Sequence, residues 1–266
     1  MTRNFLFLQG PHGPFFHRLG AMLRAAGCEV ARVGFNAGDR AFWFGTKGYV
    51  PYRGTIEDWP ETFRALVTDR GITDLVLYGD TRPVHAEAIT VARALGLTIH
   101  VFEEGYMRPY WVTYERGGSN GNSRLMDMAV PEMRAALAAS DLDMPEAPTH
   151  WGDMSQHIVY GFLYHLFVIF RNGDYRGIRT HRSLPVAQEF ALYLRRFFLL
   201  PVVRLERWVA TLRIKRAGFP FHLVLMQLEH DSAFQMHSPF TEMREFLDLA
   251  IKGFAEGAPR HHHLVF

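Results

Sequence analysis

Short apolar runs and helix-period stretches take turns over roughly the first hundred residues, and that alternation limits the fold more than any other feature of the chain. NFLFL at Asn4–Leu8, EVARVGF at Glu29–Phe35, DLVLY at Asp74–Tyr78 and TIHVF at Thr98–Phe102 are bounded by glycine or polar turn residues. Apolar runs of this length fit strands buried on both faces, the condition of a parallel sheet. Between them Phe15–Ala26, Pro60–Arg70 and Val84–Leu95 read as helices, with Pro60 at an N1-like start and Gly27, Gly71 and Gly96 just past the ends. Strand–helix–strand repetition with connections this short requires right-handed crossovers, so the expected architecture is α/β, a Rossmann-like doubly wound domain. In such a sheet ligands gather beyond the carboxyl ends of the strands.

The loops at that edge are QGPHGPFF, FNAGDRAFW, YGDTRPVH and EEGYMRP, and together they hold Gln9, His12, Asn36, Asp39, Asp80, Arg82, His85, Glu103, Glu104 and Arg108. Side chains from loops on one edge can converge, and this set is more polar than ordinary loop composition explains. QGPHGPFF permits close backbone approach and presents helix N-terminal N–H groups to an anion, or is a tight turn. It lacks GxGxxG and the Walker lysine, so ordinary dinucleotide and P-loop readings fail. The loop from Asp80 to His85 reads either as a helix cap closed by a salt bridge or as a ligand contact. Adjacent acids at the mouth of an apolar strand, Glu103 and Glu104, must be solvated, paired with Arg82 or Arg108, or kept for acid/base or nucleophile chemistry. Neighbours on a strand point to opposite faces, so only one of the two reaches a given pocket.

Composition bounds the surroundings. With 266 residues, 48% of them hydrophobic, the chain can bury a large core, as one big domain or two small ones. Cys28 is the only cysteine, which excludes an internal disulfide and any multi-cysteine metal site and fits a reducing compartment, the cytoplasm. No apolar run reaches the roughly 18 residues of a membrane span. The net charge of +2 is unevenly spread: from Tyr160 to Phe219 there are eleven Lys/Arg against three acids, an excess of +8 that leaves −6 on the remainder. Arg195, Arg196, Arg204, Arg207, Arg213, Lys215 and Arg216 interleave there with Phe197, Phe198, Leu199, Leu200, Trp208 and Ile214. Such helices are either core with a solvated basic face or an interfacial segment lying on anionic lipid. No nucleic-acid module accompanies the charge.

The expected organisation is a Rossmann-like domain over 1–140, a helical basic and aromatic, membrane-facing segment over 141–219 that opens with the acidic, proline-bearing stretch Asp141–Pro148, and the start of a second α/β domain over 220–266. Strand signal returns near Phe221–Gln227, a helix follows around Thr241–Ala255, and the final apolar run His263–Phe266 reads as a strand with nothing after it, so the second domain is expected to be cut short. LMQLEHDSAFQMHSPF carries Gln227, His230, Asp231, Ser232, His237 and Ser238, but no G-x-S-x-G elbow supports a serine nucleophile. Ser238, four residues before Glu242, reads instead as the N-cap of the next helix, where a phosphate could be held. No metal-ligand motif is present, and the histidine run His261–His263 lacks convergent partners.

QGPHGPFFHRLGAMLRAAGCEVARVGFNAGD, YGDTRPVHAEA, FEEGYMRPYWVTYERGGSNGNS and QLEHDSAFQMHSPF, in this order, resemble the capsule polysaccharide biosynthesis family of Gram-negative bacteria, within it the retaining β-Kdo transferases. The resemblance implies a GT-B-like fold, two Rossmann-like domains facing a cleft. It also implies transfer of Kdo from CMP-β-Kdo to an anionic lysophospholipid of the lyso-phosphatidylglycerol type, by a protein peripheral on the inner face of the cytoplasmic membrane. It puts Glu104, with Glu103 second, at the anomeric centre, Arg82 and Arg108 on a carboxylate or phosphate, and Gln227, His230, Asp231 and Ser238 toward the nucleotide. Neither a cofactor nor a metal is implied. Rival readings are a non-catalytic lipid- or polysaccharide-binding export component and a GT-B-like sugar-nucleotide epimerase or hydrolase.

Overall fold

The computed structural model describes residues 3–45, 47–105, 111–140, 155–175, 177–178, 186–229 and 231–266. Contacts divide the chain into two units, Met1–His181 and Arg182–Phe266. The first unit is built on a six-stranded sheet: β1 (Asn4–Phe7), β2 (Glu29–Gly34), β3 (Tyr49–Pro51), β4 (Asp74–Tyr78), β5 (Thr98–Glu104) and β6 (Val112–Arg116), in the order β3-β2-β1-β4-β5-β6. All pairs are parallel except β5 with β6. This is the doubly wound order, with its reversal between β1 and β4.

Alternation along the strands explains why both faces are covered. Leu6 and Leu8 of the first strand segment, with Leu75 and Leu77 of β4, point into a core shared with Trp59, Phe63 and Val67 of α3 (Trp59–Asp69) and with Val84, Ala88 and Ala92 of α4 (Pro83–Ala94). Phe5, Phe7 and Val76 point the other way, against Phe16 of α1 (Phe15–Ala25) and Trp43. The residues just past α1, α3 and α4, Gly27, Gly71 and Gly96, have φ of 82°, 57° and 71°, the left-handed turn that ends a helix at low cost for glycine. The four expected strands and three expected helices are therefore present, within two residues at each end. Two edge strands, β3 and β6, were not anticipated. β3 has three residues and ends in proline; β6 alternates exposed Val112, Tyr114 and Arg116 with half-buried Thr113 and Glu115, so neither carries a continuous apolar run.

The helical segment expected over 141–219 is shared between the units; the stretch Asp141–Pro148 lies outside the described residues. After the short α2 (Ala37–Ala41) and α5 (Val130–Ala139), α6 (Ser155–Arg171) returns to the first unit and packs on α2. The second unit holds α7 (Val186–Ala217), with Pro201 inside it, then β7 (Phe221–Leu223), α8 (Ser232–His237), α9 (Met243–Gly257) and β8 (His263–Val265), the two strands pairing in parallel. Among the described residues no helix is long and apolar enough to cross a membrane.

Candidate functional site

The carboxyl edge of the sheet gathers the loop residues into two groups, on either side of the reversal between β1 and β4. The first group closes on a residue from α6. The Tyr164 hydroxyl accepts hydrogen bonds from Gln9 Nε2 (3.1 Å) and Asn36 Nδ2 (2.6 Å) and donates to Asp39 Oδ1 (3.3 Å). Asn36 also caps α2, its Oδ1 accepting from the Asp39 N–H at 2.8 Å. Asp39 accepts in addition from Arg32 (3.1 Å) and from the Phe35 N–H (3.0 Å). Both members of this Arg32–Asp39 ion pair are fully buried. Burial drives the Asp39 carboxyl above its ordinary range, against the pull of Arg32, the Phe35 amide, Arg82 and Tyr164. His12 lies beside the same hub, its ring 4.3 Å from that of Tyr164 and 4.9 Å from that of His165.

Docking of α6 explains the glycines of these loops. A Cβ at Gly13 (φ 119°) would stand 2.9 Å from the Tyr160 ring, and one at Gly38 would stand 2.6 Å from the Tyr164 ring. The close approach anticipated for a ligand at QGPHGPFF is made at Gly13 by a tyrosine of the protein itself, and a second tyrosine does the same at Gly38. The N-cap position of α1 is Pro14, with no side-chain cap.

Around β4 and β5 lies the second group. Asp80 is buried, but it does not pair with Arg82 as a salt-bridged cap: its Oδ2 accepts from the Ser119 N–H (2.9 Å) and from Asn122 Nδ2 (3.1 Å), tying the 119–122 turn to the end of β4. Asp80 Oδ1 and Ser119 Oγ are buried with no hydrogen-bond partner among the described residues, which leaves capacity for a hydroxyl or water. His85, fully buried, uses Nδ1 against the Gly79 carbonyl at 2.6 Å. Arg82 is half-buried at the N-cap of α4, followed by proline, with no side-chain cap and no acid in the first turn. A cation at the positive end of a helix is unfavourable by itself, and together the two favour an anion. Arg82 makes no ion pair with a carboxylate among the described residues, although its field reaches Asp39.

Glu103 and Glu104 end β5 opposite Thr113 and Val112 and, as strand alternation requires, have different neighbours. Glu103 Oε1 is 3.5 Å from Asn120 Nδ2, in a turn where Asn120 adopts φ 53°. Glu104 Oε1 is 3.8 Å from His157 Nε2 of α6, and its side chain is 33% exposed. It is the carboxylate of the pair that faces α6. Arg108 lies outside the described residues.

In the second unit Gln227 Nε2 reaches Asp231 Oδ2 at 3.5 Å, a local pair. His230 lies outside the described residues. Ser238 is not the N-cap of α9: it follows α8, its Oγ accepts from the Phe240 N–H at 3.0 Å, and Glu242 occupies the cap position. The helix start is held instead by Glu245, which accepts from both the N–H and the hydroxyl of Thr241. No group of three potential metal ligands is found among the described residues.

Sequence reasoning missed Tyr164, His157, Arg32, Ser119 and Asn122. For α6 a signal existed: His157, Tyr160 and Tyr164 follow i, i+3, i+7 on one face of an otherwise apolar helix, the spacing at which polar tips meet a neighbouring polar edge.

A family model described as capsule polysaccharide biosynthesis protein matches residues 73–266. The chain is 28% identical over 264 residues to the capsule polysaccharide export protein KpsS of Escherichia coli, covering 99% of this chain and 67% of that protein. It is 32% identical over 274 aligned positions to the capsule polysaccharide modification protein LipB of Neisseria meningitidis serogroup B, covering 99% of this chain and 64% of that protein. The chain therefore spans about two thirds of the length of these relatives.

Proposed function

Since the chain belongs to the capsule polysaccharide biosynthesis family, we propose that it forms part of a retaining glycosyltransferase that moves Kdo from CMP-β-Kdo to an anionic lysophospholipid at the inner face of the cytoplasmic membrane. In this reading the fold is GT-B-like, residues 1–140 are the acceptor-side domain, 141–219 the membrane-facing segment and 220–266 the beginning of the nucleotide-side domain. The names of the relatives, one an export protein and the other a modification protein, are compatible with a role at the start of capsule assembly.

The observation that carries the proposal is the partly exposed carboxylate of Glu104 at the end of β5, on the edge where the doubly wound sheet reverses. A retaining transfer needs a nucleophile or an ion-pair stabiliser close to the anomeric carbon, and by analogy with retaining glycosidases a carboxylate can serve as either. Both carboxylates are partly exposed, and Glu104 is the one on the α6 side, whereas Glu103 faces the 119–122 turn. Arg82 at the α4 N-terminus is suited to the ulosonate carboxylate or a phosphate. The open valences of Asp80 and Ser119 are suited to sugar hydroxyls. Asn36, Asp39 and Gln9 act one step back, holding α6, and His12 and His85 shape the same edge. Gln227, His230, Asp231 and Ser238 remain the proposed nucleotide contacts.

The test is incubation of the purified protein with CMP-Kdo and a fluorescent lysophospholipid, with mass analysis of the product. Glu104→Gln keeps the shape and removes the charge, and we expect transfer to fall by at least about 10²-fold. Unchanged transfer would remove Glu104 from this role. Lipid binding without transfer by the parent protein would favour the export-component reading.

A further inference from the structure

We propose that a second site, on the β3 side of the sheet, holds the headgroup of an anionic phospholipid and anchors the protein through α6. A pocket of about 530 Å³ lies among α2, β3 and the C-terminal end of α6, a volume within the range of ordinary small-molecule sites. Among the described residues three guanidinium groups line it, Arg40, Arg53 and Arg171, against one carboxylate, Asp174. Asp174 pairs with Arg53 at 3.5 Å, while Arg40 and Arg171 have no ion pair to a carboxylate among the described residues. Arg40 is held in place: it donates to the Gly45 carbonyl at 2.6 Å and stacks 4.8 Å over the Tyr49 ring. One of these two charges, that of Arg40, is thus fixed at the pocket wall.

The apolar half of the ligand follows from α6. Tyr160, Tyr164 and Val168 face Phe42 and the sheet edge, yet the other face is also apolar. Leu166, Phe167, Ile169 and Phe170 are 37%, 39%, 46% and 74% exposed. Phe167 lines the pocket one turn before Arg171, so the arginine-lined hollow opens directly beside an apolar face that is exposed among the described residues. A molecule that meets both has a phosphate at one end and hydrocarbon at the other. The polar inventory argues against a nucleotide or a glycan there. The hydroxyls of Tyr49 and Tyr175 are engaged with each other at 3.0 Å, and among the described lining residues Asp174 is the only side-chain carboxylate to accept from a base or a sugar.

This site is separate from the proposed reaction centre and stands whether or not the chain transfers a sugar. The strands β2 and β3 are three and four positions from β5 in the sheet, which at about 4.8 Å per strand is roughly 14 to 19 Å. A phosphate in the pocket therefore cannot belong to the group reacting at Glu104, and the lipid here is an anchor.

The test uses the whole chain and dihexanoylphosphatidylglycerol below its micellar concentration, with binding followed by calorimetry. Saturable one-site binding is expected. Arg171→Ala should weaken it about fivefold, as one basic residue removed from an anionic lipid contact does. Asp174→Asn should tighten it by a similar factor, a gain that misfolding cannot imitate. Arg64→Glu, at an exposed position of α3 that does not line the pocket, should leave one-site affinity unchanged. Equal affinity for glycerol 3-phosphate or inorganic phosphate would reveal a free-anion site and overturn the lipid assignment. So would absence of saturable binding, or an Arg64→Glu loss as large as that of Arg171→Ala.

Discussion

Single side chains at the two edges of the sheet carry opposite electrostatic duties. At the carboxyl edge Tyr164 serves three polar groups with one hydroxyl, and Tyr164→Phe strands Gln9, Asn36 and Asp39 in a buried setting. We expect a loss of about 1–3 kcal/mol in urea unfolding, the cost of leaving buried polar groups unsatisfied; a change within error would show that the hub rearranges freely. At the amino edge Asp74 is buried, which by itself raises its pKa, but hydrogen bonds from Arg3, Thr73 and His100 outweigh this and hold the carboxyl below its usual range. A carboxyl depressed in the folded state contributes stability that is complete above the unfolded pKa, near 4, and is lost as pH falls through the folded value. Asp74→Asn should therefore destabilise by about 1.5–3 kcal/mol near neutrality. That difference should shrink below about pH 4 when melting temperatures of the two proteins are compared. A gap that stays constant down to pH 2 would mean the charge of Asp74 is not what the contacts use.

Elements are positioned by what their neighbours leave room for, and α6 is the clearest case. Gly38 on α2 lets the Tyr164 ring lie against the backbone, so Gly38→Ala must push α6 away or distort α2, at about 1–3 kcal/mol for overpacking. In a Tyr164→Ala background the same substitution meets no ring and should cost much less. Additive costs in that double-mutant cycle would show that the two residues do not share the contact. The central strands could be read from sequence because burial on both faces writes a continuous apolar run, as in DLVLY, and the glycines after each helix mark a backbone conformation rather than a contact. Docking of α6 could not be read in the same way. The polar loops suggested a ligand cavity, and only tertiary structure reveals that a tyrosine from more than a hundred residues away occupies part of that edge. Glu103 and Glu104 were legible as a pair with separate faces, but which residues they meet was not: the spacing of His157 with Tyr160 and Tyr164 marks a polar-tipped helix face without naming its partner across the chain. Ser238 misled because a serine before a helix is common to caps and to ordinary turns, and Thr241 with Glu245 met the need instead.

Across the molecule, burial is distributed very unequally between the two units. The apolar core lies in Met1–His181, and Phe234 is the only buried apolar residue beyond it among the described residues. The parallel pair β7–β8 has three residues on each strand, with Phe221, His222 and Leu223 all exposed, whereas β1, β4 and β5 are covered on both faces. A two-stranded sheet with little buried surface is marginal in water, and its hydrogen bonds open locally without unfolding the rest. Hydrogen exchange on the intact chain should then separate the units. Amides of β4 and β5 are expected to open only with global unfolding, while those of β7 and β8 exchange at least about a hundredfold faster, each factor of ten corresponding to about 1.4 kcal/mol of opening free energy. Comparable protection in both would show that the second unit draws stability from contacts beyond its own small core. Addition of CMP provides the companion measurement: slowing confined to the segment around Gln227 and Asp231 would support the nucleotide assignment, and slowing confined to the Asp80–Glu104 edge would move the nucleotide to the first unit.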